Sequence, residues 1–133
     1  MLCKYPDNIQ IRKLNWKNVN NLNTIPTNSK ELLGFNEPDN ANQSNMSVTD
    51  IVTNWSNIYN TKLRIGSIAT AQNVLSSTYF DSVWTNLQNN NMTPDFIAIH
   101  WYAPPNSINF LKLLDNIYAK YNKSAKIFSS LPS

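Results

Sequence analysis

The sequence predicts an α/β fold built on parallel strands, and three observations carry that prediction. Apolar runs begin near Leu32, Leu63, Asp95 and Lys126, at spacings of 31, 32 and 31 residues. Between them lie three stretches whose apolar residues recur at helical spacing. The strongest run, Phe96-Ile97-Ala98-Ile99, is apolar on both faces, as suits a parallel strand buried between layers. This alternation is the βα repeat of a parallel sheet. It does not choose between a doubly wound sheet and an eight-stranded barrel. No glycine-rich turn follows any strand, which argues against a Rossmann or P-loop nucleotide site.

Taken in order, Ile9 to Trp16 reads as a weak strand and Val19 to Ile25 as a short helix. Leu32–Phe35 is an apolar strand that must stop at Asn36-Glu37-Pro38-Asp39, because Pro38 has no amide to donate to a ladder. Val48–Tyr59 is a helix: Ser47 is its N-cap, Asp50 stands in its first turn, and Ile51, Val52, Trp55, Ile58 and Tyr59 share a face. Leu63–Ser67 is the next strand. Phe80–Gln88 is a helix, with Phe80, Val83, Trp84 and Leu87 on one side. Phe96–Trp101 is the strong strand, Ile108–Tyr121 the third helix, and Lys126–Phe128 a last strand. Trp55 and Trp84 have aliphatic neighbours at helical spacing and read as core.

Composition narrows the function. The chain has 133 residues, 41% of them apolar and 11% aromatic, too apolar for a disordered protein. Its 11 basic and 8 acidic residues leave a charge of +3, with no dense basic stripe for nucleic acid. No apolar run is long enough to span a bilayer, and Met1 to Pro6 leads straight into polar sequence, so no secretory leader is expected. The single Cys3 excludes an intramolecular disulfide and a Cys-rich zinc site. Asparagine is the outlier, at 23 residues. Five Asn-x-Ser/Thr triplets start at Asn42, Asn45, Asn54, Asn91 and Asn122, and so Asn-rich a chain produces such triplets by chance.

Three clusters carry the chemistry. Glycosidases need two carboxyl groups about the scissile bond, and the chain has only two glutamates, Glu31 and Glu37. Glu31 begins its strand, at the end that serves stability in barrels, whereas Glu37 lies just past the C-terminal end, where barrel enzymes keep their sites. Asn36 beside it can donate to a sugar hydroxyl. Read blandly, Asn-Glu-Pro-Asp is a polar turn. The second cluster, His100-Trp101-Tyr102, ends the strong strand and joins the only histidine to two rings able to stack on sugars. No second His or Cys is available for a metal. The third, Asn42-Gln43-Ser44-Asn45-Met46, offers amides to a cleft or is simply the loop leading to Ser47.

The blocks LLGFNEPDNANQSNMSV, Trp55, RIGSIAT and DFIAIHWYAPP resemble, in order and spacing, glycoside hydrolase family 128, the β-1,3-glucanase-like glycosyl hydrolase catalytic core. The resemblance runs from about Trp16 to Phe128. It implies a (β/α)8 barrel. Only four or five βα units are recognisable, so the expectation is a partial TIM barrel with parallel strands, one incomplete domain over residues 1–133. It implies retaining hydrolysis of β-1,3-glucan without a cofactor. By resemblance Glu37 is the general acid/base, and Asn36 binds the sugar 2-hydroxyl. Gln43 and Asn45 belong to an amide-bearing loop. His100, Trp101 and Tyr102 line the site. The family's nucleophile is a Glu ending the strand after the third helix. Here that stretch is Ala125 to Leu131, and no acidic residue follows Asp115.

The expected function is therefore a glycoside hydrolase homologue, weak or inactive by itself. The alternatives are a non-catalytic carbohydrate-binding remnant, the product of a degraded or split gene, or an interaction protein without sugar contact. The expected partner is a β-glucan, with no nucleic acid and no membrane. Open barrel edges are expected to favour self-association. Family members are often secreted or cell-wall associated.

Overall fold

Ser47, Ser77 and Ser107 each end an extended segment and start a helix. The Ser47 hydroxyl accepts the Asp50 amide at 3.0 Å, that of Ser77 the Phe80 amide at 3.0 Å, and that of Ser107 the Phe110 amide at 3.1 Å. Each satisfies a donor that the first turn leaves without an intrahelical partner. At Ser47 the Asp50 carboxylate reaches back to the Ser47 amide at 3.3 Å, closing a capping box. The helices so begun are α1 (Val48–Tyr59), α2 (Thr78–Asn89) and α3 (Ile108–Tyr121). A left-handed residue follows each of them: Lys62, Asn91 and Asn122, with φ of 61°, 57° and 55°. Asparagine tolerates this conformation better than most residues. Neither glycine in the chain has a positive φ.

The computed structural model describes residues 11–14, 22, 25, 27–101 and 107–129. Its strands are β1 (Ile11–Leu14), β2 (Glu31–Phe35), β3 (Arg64–Gly66), β4 (Ile97–His100) and β5 (Ala125–Ser129). The order β1-β2-β3 forms one parallel sheet, and β4 pairs with β5 in parallel. A parallel bridge, Gly66 to Phe96, joins the two. Leu32 is registered against Ile65, so the two strands that flank α1 are parallel neighbours, as a helical crossover requires. Over the described residues the fold is thus a mixed α/β structure of three helices and parallel strands.

Element boundaries differ from expectation at a few points. β3 stops at Gly66, one residue before the expected end at Ser67. There the Ser67 amide donates to Phe96 O at 2.9 Å, and its hydroxyl accepts the Ala98 amide at 3.0 Å, so the chain has turned from β2 towards β4. β4 is regular only over Ile97–His100, and α2 starts at Thr78, where Ser77 caps it. Most of the expected helix over Val19–Ile25, and both Tyr102 and Leu131, lie outside the described residues.

Both faces of β2, β3 and β4 are covered. Leu32, Ile65, Ile97 and Ile99 join Ile51, Trp55, Ile58, Phe80, Trp84, Leu87 and Ile117 in the core shared with the helices. The alternate residues Leu33, Phe96 and Ala98 form a second cluster with Ala69. Trp55 is wholly buried and Trp84 nearly so, as their spacing predicts. The two glycines permit close contact: a Cβ on Gly34 would lie 2.7 Å from the Trp55 ring, and one on Gly66 2.6 Å from the Phe96 ring. Glu31 pairs with Arg64 at 2.5 Å across the N-terminal ends of β2 and β3.

Candidate active site

Because the strands are parallel, the residues that follow β2, β3 and β4 emerge on one end of the sheet. Asn36 and Glu37 come from β2, the loop Ala69–Val74 from β3, and His100 and Trp101 from β4. The β2–β3 ladder resumes at the parallel bridge between Asn36 and Ala69. The Glu37 amide donates to Ala69 O at 2.7 Å, and the Ser44 hydroxyl donates to Asn36 O at 2.7 Å. These bonds hold Glu37 in a left-handed conformation, φ 43°, which a residue with a Cβ adopts only when its surroundings enforce it.

The carboxylate of Glu37 is then held between two side chains. Its Oε2 accepts the Asn40 side-chain amide at 3.2 Å. Its Oε1 lies 3.7 Å from His100 Nε2, with the two side chains 16% and 4% exposed. His100 stands where the β4–β5 register slips: Ile99 faces Ile127, but His100 faces Ser129. Such a bulge re-aims the side chain beside it. Asn36 Nδ2 donates to Gln43 Oε1 at 3.4 Å. Trp101 packs against Phe110 of α3, with ring centres 5.1 Å apart.

Two cavities open at this end. His100 and Trp101 line one of about 220 Å³, together with Thr70, Gln72, Val74 and Leu113. The other, a groove of about 640 Å³, is lined by Pro38, Asp39, Asn40, Asn45, Met46 and Tyr79. Ala71 and Gln72 line both. Asn45 therefore sits on the groove, exposed and with φ 46°; Asn36 and Gln43 are bonded to each other beside Glu37, Trp101 lines the smaller cavity with His100, and Tyr102 lies outside the described residues.

Several residues of this region were not anticipated. Thr70-Ala71-Gln72-Asn73 lines the smaller cavity, with Ala71 and Gln72 forming the wall shared with the groove, and the one sequence signal was its place just past the end of a parallel strand. Asn40 orients Glu37. Tyr79 donates to Met46 O at 2.7 Å, and burial, with the charges of Asp39 and Asp50, pushes its phenol above the ordinary tyrosine range. It is accordingly neutral and a donor at neutral pH.

Asp39, Asp50, Asp81 and Asp95 have structural partners. Asp39 accepts from the amides of Ala71 and Gln72. Asp50 closes its capping box. Asp81 pairs with Lys120 at 3.0 Å and accepts from the Tyr121 hydroxyl. Asp95 accepts the Ile65 amide at 2.7 Å, at the start of β4. Among the described residues no group of three His, Cys, Asp or Glu side chains is placed to hold a metal ion, and no helix is long and apolar enough to cross a membrane. What the end of the sheet offers is a half-buried carboxylate beside an imidazole, next to open clefts with amide and hydroxyl walls. That is a setting for proton transfer to a polar ligand.

Residues 9–128 match the family described as glycosyl hydrolase catalytic core. Among solved structures, the chain resembles a subgroup I endo-β-1,3-glucanase of glycoside hydrolase family 128 from Amycolatopsis mediterranei, in complex with laminaripentaose. The TM-score is 0.77 at 24% identity, covering 90% of this chain and 52% of that one. Another structure of the Amycolatopsis mediterranei enzyme, with laminarihexaose, gives 0.67 at 28% identity over 73% and 42%. A curdlan-specific exo-β-1,3-glucanase of subgroup III from Blastomyces gilchristii, with glucose, gives 0.62 at 24% identity over 91% and 59%. The chain thus spans about half the length of the first of these structures. No curated protein matches it.

Proposed function

The chain belongs to the glycosyl hydrolase catalytic core family, and on that premise we propose that it is the glucan-recognising part of a retaining hydrolase of β-1,3-glucan. The observation that carries this reading is the meeting of Glu37 and His100, 3.7 Å apart, at the end of the sheet where the loops after β2, β3 and β4 converge. The strands run β1-β2-β3 and, through the Gly66–Phe96 bridge, on to β4-β5, with no reversal of order. That winding suits part of a (β/α)8 barrel better than a doubly wound sheet. We take residues 1–133 as one portion of a single barrel domain.

In this reading Glu37 gives its proton to the leaving oxygen and later takes one from water. Asn36 holds the 2-hydroxyl of the sugar at the cleaved bond, His100 and Trp101 bind the ring beside it with Tyr102, and Gln43 and Asn45 bind further along. Retaining cleavage also needs a second carboxylate about 5–5.5 Å from the first. Asp39 is the near candidate by sequence, but both its oxygens already accept backbone amides. That engagement favours a second reading, in which the 133-residue chain binds glucan and turns it over slowly or not at all.

One experiment separates the readings. Laminaripentaose is titrated into the purified chain, and release of reducing sugar from β-1,3-glucan is followed in parallel. Binding by both the wild type and Glu37→Gln, with at most trace turnover, is the expected result. Robust turnover abolished by Glu37→Gln would mean that a second carboxylate serves the site after all. No binding by the wild type would refute the glucan reading.

A further inference from the structure

The sequence places Asp39 in the turn after β2, but its carboxylate leaves that turn. Oδ1 accepts the Ala71 amide at 2.8 Å and Oδ2 accepts the Gln72 amide at 3.1 Å, so one carboxylate takes two successive amides from the loop after β3. Charge-assisted bonds of this kind are about twice as strong as neutral ones. The β2–β3 ladder reaches as far as the Asn36–Ala69 bridge, and Asp39 makes its contact just beyond it. Within the loop, Thr70 Oγ1 donates to Gln72 O at 2.7 Å and the Leu75 amide to Asn73 Oδ1 at 2.9 Å. Those bonds shape the loop without anchoring it to the Glu37 turn. The two residues that Asp39 holds, Ala71 and Gln72, are the ones that line both cavities.

We infer that Asp39 is a positioning residue, which fixes the Ala71–Gln72 partition relative to Glu37 and His100 and so sets the passage of a chain-like ligand between the two cavities. The ligand half of this inference rests on the glucan reading above; the clamp itself does not. With Asp39 removed, the partition swings on its own internal bonds and the path past Glu37 loses its wall.

The test uses the 133-residue chain, with Asp39→Ala and Asp39→Asn. Amide hydrogen exchange is read at Ala71, Gln72 and Ile97, whose amide donates to Ser124 O at 2.9 Å just before β5, and laminaripentaose affinity is measured alongside. In Asp39→Ala, exchange at Ala71 and Gln72 is expected to quicken at least tenfold with Ile97 unchanged, and affinity to fall about tenfold. Asp39→Asn, which keeps one acceptor oxygen, should release one of the two amides and lose less affinity. If Asp39→Ala also exposes Ile97, the Asn variant decides. Unchanged exchange at Ala71 and Gln72 would overturn the clamp. Faster exchange with unchanged affinity would overturn its part in binding. A wild type that does not bind laminaripentaose removes the glucan reading and with it the ligand half, while the exchange arm still decides the clamp.

Discussion

Glu37 Oε1 and His100 Nε2 lie 3.7 Å apart, although their strands, β2 and β4, are separated by β3. Strand neighbours are about 4.8 Å apart, so the backbones of such strands stand roughly 10 Å from one another. Two side chains pointing inward over β3 close that gap. Glu37 has a left-handed φ and the β4–β5 register slips at His100, so both residues stand where the backbone departs from regular strand geometry.

A coupling follows from this geometry. Asn40 holds one oxygen of Glu37 and His100 faces the other. Asn40→Ala and His100→Ala should each weaken laminaripentaose binding, and the double variant should lose less than the sum. Residues that act on one shared group typically couple by about 0.5–3 kcal/mol. A double-mutant cycle by calorimetric titration measures it; strict additivity would show that the two do not act through Glu37.

Gly34→Ala should destabilise the fold by about 1–3 kcal/mol, as overpacked cores do. The new methyl would meet the buried Trp55 ring at 2.7 Å and the Ile68 backbone nitrogen at 3.0 Å, and that nitrogen cannot rotate away. The nearest atoms to a methyl at Gly66 belong to the side chains of Phe96 and Leu33, so Gly66→Ala should cost less. Urea unfolding of the two variants should rank them in that order.

Ser47→Ala should cost about 1 kcal/mol, the usual effect of losing an N-cap. It removes the acceptor for the Asp50 amide and breaks the capping box. Asp50→Asn should cost less, because the Ser47 hydroxyl still caps the helix. Thermal melts by circular dichroism would show it, and equal losses in the two variants would contradict that ranking.

The tie between α2 and α3 should depend on pH in both directions. Burial opposes ionisation of Asp81, but hydrogen bonds from Tyr121 and Lys120 and the Lys120 charge outweigh it and hold the carboxyl below its usual range. A depressed carboxyl contributes stability above its unfolded value, about 3.9, and loses it as pH falls through the folded value. Burial, then the bond to Asp81 and its charge, raises the Tyr121 phenol above the ordinary range. That contribution is complete below the unfolded value, about 10, and declines as pH rises beyond it. Tyr121→Phe should flatten both limbs in urea midpoints taken from pH 3 to pH 11.

The glycosyl hydrolase resemblance and the order of the elements were legible in the sequence because they rest on local signals. Apolar runs such as Phe96–Ile99 declare buried parallel strands, Ile51, Trp55 and Ile58 declare one helix face, and Pro38 stops a strand wherever it occurs. The ends of those strands pointed to Glu37 and His100. The serine caps at Ser77 and Ser107 were equally local, and only Ser47 was read. Asparagine abundance, by contrast, looked like mere composition, yet Asn45, Asn91 and Asn122 take left-handed positions that glycine commonly fills.

Tertiary structure alone decided what lies around the two site residues. Asn40 reaching Glu37, Asp39 spanning to Ala71 and Gln72, and Tyr79 closing the groove depend on which strands are neighbours and on their register. A carboxylate cannot find two amides more than thirty residues away until β2 and β3 are paired in parallel, because that pairing is what brings the loops after them side by side. The register slip at His100 likewise belongs to the β4–β5 pair, and neither strand's own sequence contains it.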